Sequence, residues 1–272
     1  MKLAITSTPS QARFAPILHR GDPAEAFALA AEIGYEGVEL HLRRPSDINA
    51  AAVKALLART GLSVPTLGTG MAAGEDGLTF ADDNADVRQQ AVNRIKEHIA
   101  LAAELGSAVT IGLIWGRLGR APVQRASRLA AATDCLRACC QAAAMQGVTV
   151  LFEPLNRYES DYPNTVDDAL ALIDTAGATN LKLLLDTFHM NIEEESLASS
   201  VRRAGARVGH VHLVDSNRQA PGHGHTDLKS VVHALARTGY SGYLSFEVLP
   251  LPSTSEAARD GYEVARKLLA DV

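Results

Sequence analysis

Residues 181–187, LKLLLDT, are almost continuously apolar up to the aspartate and threonine that end the run. A short run with apolar residues at successive positions is typical of a β-strand buried on both faces, as the strands of a parallel sheet are. Residues 193–204, further along the chain, have the apolar spacing of an amphipathic helix. This part of the chain is therefore predicted to be a strand followed by a helix.

The same strand–helix unit recurs along the whole chain. Apolar runs predict strands at residues 3–7, 38–42, 62–68, 109–115, 148–155, 181–187, 208–214 and 243–248. Helical spacing predicts helices at residues 23–33, 48–59, 84–105, 122–146, 165–176, 193–204, 227–238 and 255–270. Eight strand–helix units in 272 residues predict the α/β class and a single (β/α)8 TIM barrel, for which about 250 residues are typical. A doubly wound open sheet is the alternative fold.

Composition and charge restrict the class of protein. Hydrophobic residues make up 47% and charged residues 21% of the chain, and no linker divides it, so one domain is expected over residues 1–272. The net charge of −5 does not suit a protein that binds nucleic acid, because phosphate contacts require clustered lysine and arginine.

The sequence leads us to expect neither a signal peptide nor a membrane-spanning helix. The segment MKLAITSTPSQARF lacks the apolar core of a signal peptide, and no run approaches the ~20 apolar residues that span a bilayer. Three cysteines, Cys135, Cys139 and Cys140, cluster in one helical segment, which indicates reduced thiols. We therefore expect a cytoplasmic protein with no membrane partner.

The last four predicted strands each carry an ionisable side chain near the carboxyl end. These are Glu153 in TVLFEPLNRYE, Asp186 in LLLDTFH, His212 in GHVHLVDSNR and Glu247 in YLSFEVLP. In a barrel, catalytic groups gather at this end of the strands. A buried carboxylate costs several kcal/mol unless it is paired or coordinated, and one shared divalent cation satisfies all four residues. Three carboxylates and one imidazole favour Mn²⁺, Mg²⁺ or Co²⁺, with Mn²⁺ as the first choice.

Four segments of the chain resemble the ketose 3-epimerases of the xylose isomerase-like barrel superfamily, which include the D-tagatose/D-psicose 3-epimerases. The segments are EPLNRYE (153–159), LDTFHMNIEE (185–194), GHVHLVDSNRQAPGHGHTD (209–227) and FEVLP (246–250). Residues 68–70 and 111–117 add a closer similarity to the 5-keto-L-gluconate epimerase branch. The resemblance covers nearly the whole chain and is most specific between residues 148 and 250.

The resemblance implies an isomerase that epimerises the carbon next to the carbonyl of a ketose or keto-sugar acid. Glu153 and Glu247 would bind the metal and also serve as the acid–base pair, removing and returning a proton through a metal-stabilised ene-diolate. His189, Arg218 and Glu159 match positions that hold the carbonyl end of the substrate. A homo-dimer or homo-tetramer follows from family analogy alone.

Position suggests further site residues. Trp115 and Arg117 follow the fourth predicted strand and are candidates to line the far end of the sugar pocket, where Arg117 would bind a substrate carboxylate through two hydrogen bonds. Glu39 and His41, near the end of the second strand, are left open between substrate contact and another role. His210 lies one layer deeper than His212 and is expected to be a buried, hydrogen-bonded histidine.

Alternative functions use the same barrel. An aldose–ketose (hydroxypyruvate-type) isomerase would need the same metal and glutamates, so only the resemblance separates it from an epimerase. An abasic-site endonuclease would need more histidines and a basic surface, which the charge disfavours. A catalytically silent sugar-binding barrel would lack a ligand, and none is missing from the four. The glycine-rich residues 68–74 have the wrong spacing for a dinucleotide-binding turn and are predicted to continue into a loop.

Overall fold

Parallel β-strands lie side by side in chain order and close into a barrel, because the first strand also pairs with the last. The computed structural model describes residues 1–10 and 16–272, so part of the polar N-terminal segment lies outside it. The barrel strands are β1 Lys2–Thr8, β2 Gly37–His41, β3 Thr66–Gly68, β4 Ala108–Ile111, β5 Val150–Phe152, β6 Leu181–Asp186, β7 Val208–His212 and β8 Tyr243–Phe246. A two-residue strand, His19–Arg20, pairs beside the end of β1. The predicted (β/α)8 barrel is confirmed.

A helix follows each barrel strand and packs outside it. These helices are α1 Pro23–Ile33, α2 Ala50–Thr60, α3 Ala85–Leu105, α4 Pro122–Ala144, α5 Val166–Ala176, α6 Leu197–Ala204, α7 Leu228–Arg237 and α8 Thr254–Ala270. Local sequence explains their bounds. Asn84, for example, caps α3 by accepting a hydrogen bond from the backbone N–H of Asp86, and Gly106 ends it in the left-handed conformation. No helix in the described ranges is long and apolar enough to span a bilayer.

The structure corrects several predicted bounds. The fourth strand ends at Ile111 instead of residue 115, because Gly112 leaves the extended conformation and Leu113–Trp115 form a 3-10 turn. Residues Gly70–Asp76 form a short helix, which the sequence did not predict. A second short helix, Thr187–Glu193, directly follows β6, so α6 begins later than predicted. These additions stand in the βα loops, at the end of the barrel where the strands terminate.

The core fills the barrel and the layer between the barrel and its helices. Phe27 of α1 and Phe246 of β8 are fully buried, as are Leu40 of β2 and Leu67 of β3. Packed apolar layers of this kind hold the strand ends rigidly. The side chains at those ends are therefore presented from fixed positions.

Candidate active site

Four ionisable side chains meet at the carboxyl end of the barrel. Glu153 directly follows β5, Asp186 and His212 end β6 and β7, and Glu247 directly follows β8. Each offers one ligand atom, and these atoms all lie within 4.8 Å of one another. The structure therefore brings together the four residues that the sequence selected.

The distances place the imidazole of His212 at the centre of the group. Its Nδ1 lies 3.4 Å from Glu153 Oε1, 3.4 Å from Asp186 Oδ2 and 3.6 Å from Glu247 Oε2. Glu153 Oε1 and His212 Nδ1 are buried and have no hydrogen-bond partner among the described residues. Buried polar atoms are seldom left without a partner. Two such atoms that face each other, inside a set of carboxylates and one imidazole, fit a divalent cation.

Electrostatics at the four residues favour added positive charge. Burial opposes protonation of His212, but Glu39 and Glu247 outweigh it and raise the pKa of His212 well above its usual value. Burial raises the pKa of Glu247 to about 7, although Arg218 acts in the opposite direction. Burial also acts against ionisation of Asp186, yet Arg218 holds the pKa of that carboxyl below its usual range. Glu39 and Glu247 therefore favour a positive charge at the position of His212.

Asp186 has two roles at once, since its two oxygens face different ways. Oδ1 accepts hydrogen bonds from the backbone N–H groups of Phe188 (2.7 Å) and His189 (3.2 Å), which caps the short helix after β6. Oδ2 faces the Nδ1 of His212 at 3.4 Å. The helix-cap interpretation and the ligand interpretation of this residue are therefore compatible.

A cavity of about 610 Å³ opens onto the four residues. Four of the five predicted substrate contacts line it: His189, Arg218, Glu159 and Arg117. His189 lies between two glutamates, with Nε2 4.0 Å from Glu153 Oε1 and Nδ1 3.9 Å from Glu159 Oε1. The wall therefore combines hydrogen-bond donors and acceptors, which suits a polyhydroxylated ligand.

Arg218 contacts two of the four central residues. Its Nη1 donates to Asp186 Oδ2 at 3.0 Å, and its Nη2 donates to the Glu247 carboxylate. The guanidinium lies over the ring of Phe188, 4.7 Å from the centroid. Arg218 also has a φ of 63°, the left-handed region that non-glycine residues seldom adopt. Strain of this kind is retained where the surrounding structure enforces it.

Asp215 makes several hydrogen bonds within the loop that carries Arg218, and sequence reasoning missed it. Its carboxylate accepts hydrogen bonds from the backbone N–H groups of Ser216 (2.8 Å), Gly222 (2.9 Å) and Thr226 (3.0 Å). The backbone N–H of Arg218 donates to the Asp215 carbonyl at 3.0 Å. Asp215 therefore organises the loop that carries Arg218. A buried aspartate soon after a strand, before a glycine-rich stretch, was the available signal.

Trp115 does not line the cavity, contrary to expectation. It is 2% exposed and packs edge-on against Phe152, with ring centroids 5.3 Å apart. The 3-10 turn after β4 directs it into the core. His210 is buried, as expected, and its Nε2 lies 2.9 Å from Glu39 Oε2 and 3.0 Å from Ser245 Oγ.

The sequence of this chain is similar to those of known proteins. A profile described as the xylose isomerase-like TIM barrel matches residues 27–268. An L-ribulose 3-epimerase from Mesorhizobium japonicum is 31% identical over 88% of this chain and 80% of its own. A 3-dehydro-D-guloside 4-epimerase from Escherichia coli is 31% identical over 82% of this chain and 86% of its own.

Solved structures extend the likeness to three dimensions. A structure of L-ribulose 3-epimerase superposes with a TM-score of 0.86 at 26% identity, and covers 99% of this chain and 95% of its own. The profile match spans most of the barrel, and the two sequence relatives described above are both named as epimerases. The chain therefore belongs to the xylose isomerase-like TIM barrel family and, within it, to the ketose 3-epimerase type of isomerase.

Proposed function

We propose that this chain is a divalent-metal-dependent epimerase. It inverts the carbon adjacent to the carbonyl of a small ketose or keto-sugar acid. The observation that carries the proposal is the pair of buried, unpartnered atoms, Glu153 Oε1 and His212 Nδ1, inside the group formed with Asp186 and Glu247. The proposed metal ligands are these four residues.

Two glutamates are the proposed acid–base pair. Removing the proton next to a carbonyl leaves a planar ene-diolate, and returning a proton to the opposite face inverts the carbon. Glu153 follows β5 and Glu247 follows β8, which are separated by two strands, so they approach the cavity from different sides. A raised pKa, as burial produces at Glu247, suits a group that must both hold and release a proton near neutral pH.

Other residues of the cavity would bind and stabilise the substrate. The cation, when bound, supplies Lewis-acid polarisation of the carbonyl and the neighbouring hydroxyl oxygen. His189 and Arg218 line the cavity beside the four ligands and would stabilise negative charge that develops on those oxygens. Glu159 would accept hydrogen bonds from sugar hydroxyls. Arg117 is the proposed contact for the far end of the substrate, including a carboxylate where the substrate has one.

The test is proton exchange in D₂O, followed by NMR with metal-loaded enzyme. The panel contains ketohexoses and 5-keto-hexonic acids. We expect deuterium at the carbon next to the carbonyl, abolished by EDTA and by Glu247→Gln but retained in Glu263→Gln, a matched change on the exposed face of α8. Separation of the products distinguishes an epimer from an aldose, the product of the alternative isomerase. Bound metal without exchange on any panel member would contradict the substrate class and favour smaller hydroxy-carbonyl compounds.

The proposal also covers the identity of the ion, the number of domains, the location of the protein and its oligomeric state. Mn²⁺ is the proposed ion, in keeping with an oxygen-rich ligand set that also suits Mg²⁺ or Co²⁺. A single domain over residues 1–272 is supported by the pairing of β1 with β8. A cytoplasmic location is supported by three cysteines that form no disulfide. We further propose a homo-dimer or homo-tetramer that does not bind nucleic acid.

A further inference from the structure

Glu39 is a fully buried carboxylate that the proposed mechanism does not use. It lies on β2, is 0% exposed, and is contacted by three imidazoles. Its Oε1 lies 2.9 Å from His41 Nε2 and 3.1 Å from His212 Nε2, and its Oε2 lies 2.9 Å from His210 Nε2. A buried carboxylate needs such partners, because desolvation without them costs several kcal/mol. Both oxygens are therefore held in place.

The contact with His212 determines which ring nitrogen faces the four-residue site. A neutral imidazole has one N–H, and the nitrogen that donates it is set by the partner it meets. An ionised Glu39 Oε1 can only accept, so the neutral form of His212, which is the form that can bind a cation, carries its hydrogen on Nε2. The lone pair is then on Nδ1, the atom that faces Glu153, Asp186 and Glu247.

Glu39 is itself fixed from the opposite side. His210 contacts Oε2, and the same His210 Nε2 lies 3.0 Å from Ser245 Oγ on β8. Glu39, His41 and His212 are also close enough to hold an ion of their own. However, the imidazole nitrogens point directly at Glu39 within hydrogen-bond distance, so these contacts already satisfy the carboxylate.

We propose that Glu39 is a positioning residue of the metal site: it holds the ring of His212 as the Nε2–H tautomer and directs Nδ1 to the cation. The inference rests on the proposed function, in that the site must bind a divalent cation. Carboxylates that hold a metal-binding histidine in this way change metal affinity by about 10–100-fold when they are replaced. Glu39 is not among the residues that line the cavity.

The test is calorimetric titration of Mn²⁺ into metal-free protein. We expect Glu39→Gln, which keeps the shape and removes the charge, to weaken Mn²⁺ binding about 10–100-fold. The visible absorption spectrum of Co²⁺ bound to Glu39→Gln should also differ from that of Co²⁺ bound to the wild type. The matched control is Ser245→Ala, which removes a contact to His210 in the same buried layer and leaves Glu39 and His212 together. We expect its Mn²⁺ affinity to equal that of the wild type.

Each outcome decides a separate question. Wild-type affinity in Glu39→Gln overturns the role of Glu39, whereas a wild-type protein that binds no Mn²⁺ overturns the proposed function. A second measurement covers the case in which Glu39→Gln does not fold. In Mg²⁺-loaded wild-type protein with ¹⁵N-labelled histidine, the imidazole resonances that disappear in His212→Gln are those of His212, and they must show hydrogen on Nε2. Hydrogen on Nδ1 instead would overturn the inference.

Discussion

The backbone N–H of Asn156 donates to Nδ1 of His189 at 3.3 Å, and the side-chain amide of Asn156 donates to the same nitrogen at 2.7 Å. A nitrogen that accepts carries no hydrogen, so the N–H of neutral His189 lies on Nε2. That Nε2 lies 4.0 Å from Glu153 Oε1, on the wall of the cavity. Asn156 therefore makes His189 a hydrogen-bond donor toward the proposed substrate.

Replacement of Asn156 by alanine should lower kcat/KM roughly tenfold, the effect of one lost hydrogen bond of about 1.4 kcal/mol. His189 would keep the backbone contact but lose the shorter one, so its ring would be less firmly oriented. Steady-state kinetics on the active sugar would measure the effect, and calorimetry should find Mn²⁺ affinity unchanged. Unaltered kinetics would show that the backbone N–H alone orients His189.

Removal of the metal should destabilise the protein. A cation at 100 times its Kd contributes about 2.7 kcal/mol to the free energy of unfolding. For a chain of this size each kcal/mol corresponds to about 2–4 °C in Tm, so EDTA should lower Tm by roughly 5–10 °C. Differential scanning calorimetry with and without Mn²⁺ would measure it.

Asp186→Asn supplies the matched variant for that experiment. Asparagine caps helices as well as aspartate does, so the cap on the backbone N–H of Phe188 should survive while the negative charge at Oδ2 is lost. We expect a Tm that responds little to Mn²⁺ or EDTA. If the Tm of this variant responded to Mn²⁺ and EDTA as fully as that of the wild type, the cation would bind elsewhere in the protein.

Replacement of Asp215 by alanine should free the loop that carries Arg218. Several backbone N–H groups would lose their acceptor, at a cost of about 1–3 kcal/mol for each one that stays buried. The strained φ of Arg218 would no longer be enforced, so kcat should fall while Mn²⁺ still binds. Urea unfolding and kinetics together test this. Full activity with lowered stability would mean that the Asp186 and Glu247 contacts suffice to place Arg218.

Stability should decrease in mild acid because of His98, which lies on α3 and is not one of the residues that line the cavity. Its ring is 0% exposed, and burial lowers its pKa although the carbonyl oxygens of Arg94 and Leu42, 2.8 and 3.2 Å from its two ring nitrogens, act in the opposite direction. The unfolded chain therefore binds a proton at a higher pH than the folded chain. The stabilising contribution is complete above the ordinary histidine pKa and is lost as the pH falls below it, by at most about 1.4 kcal/mol per pH unit.

The measurement for His98 compares urea unfolding at pH 7.5 and 5.5, in EDTA, for the wild type and His98→Gln. Glutamine can form hydrogen bonds but does not titrate in this range, so the difference between the two pH values should shrink. An equal difference in both proteins would assign the acid sensitivity to other buried groups.

Local patterns carried the fold prediction, and their limits appear at particular residues. LKLLLDT and the other apolar runs predicted the barrel because a strand that is buried on both faces has apolar side chains at consecutive positions. The predicted fourth strand ran on to residue 115 because Leu113, Ile114 and Trp115 remain apolar, although the backbone turns after Ile111. The helix Gly70–Asp76 was missed because its glycines have poor helix propensity, and contacts such as those of Asp76 with Arg43 and Arg94 support it from outside.

Patterns within single segments were enough to predict the barrel and to select the four central residues, Glu153, Asp186, His212 and Glu247. A charged side chain inside an apolar strand is visible within a single segment, and barrel topology brings strand ends together. The contacts around those four residues became visible in the folded chain. Glu39 and His212 are separated by most of the chain, and Trp115 turns into the core through a local backbone change. Such contacts depend on where distant segments meet in space, which no short stretch of sequence encodes.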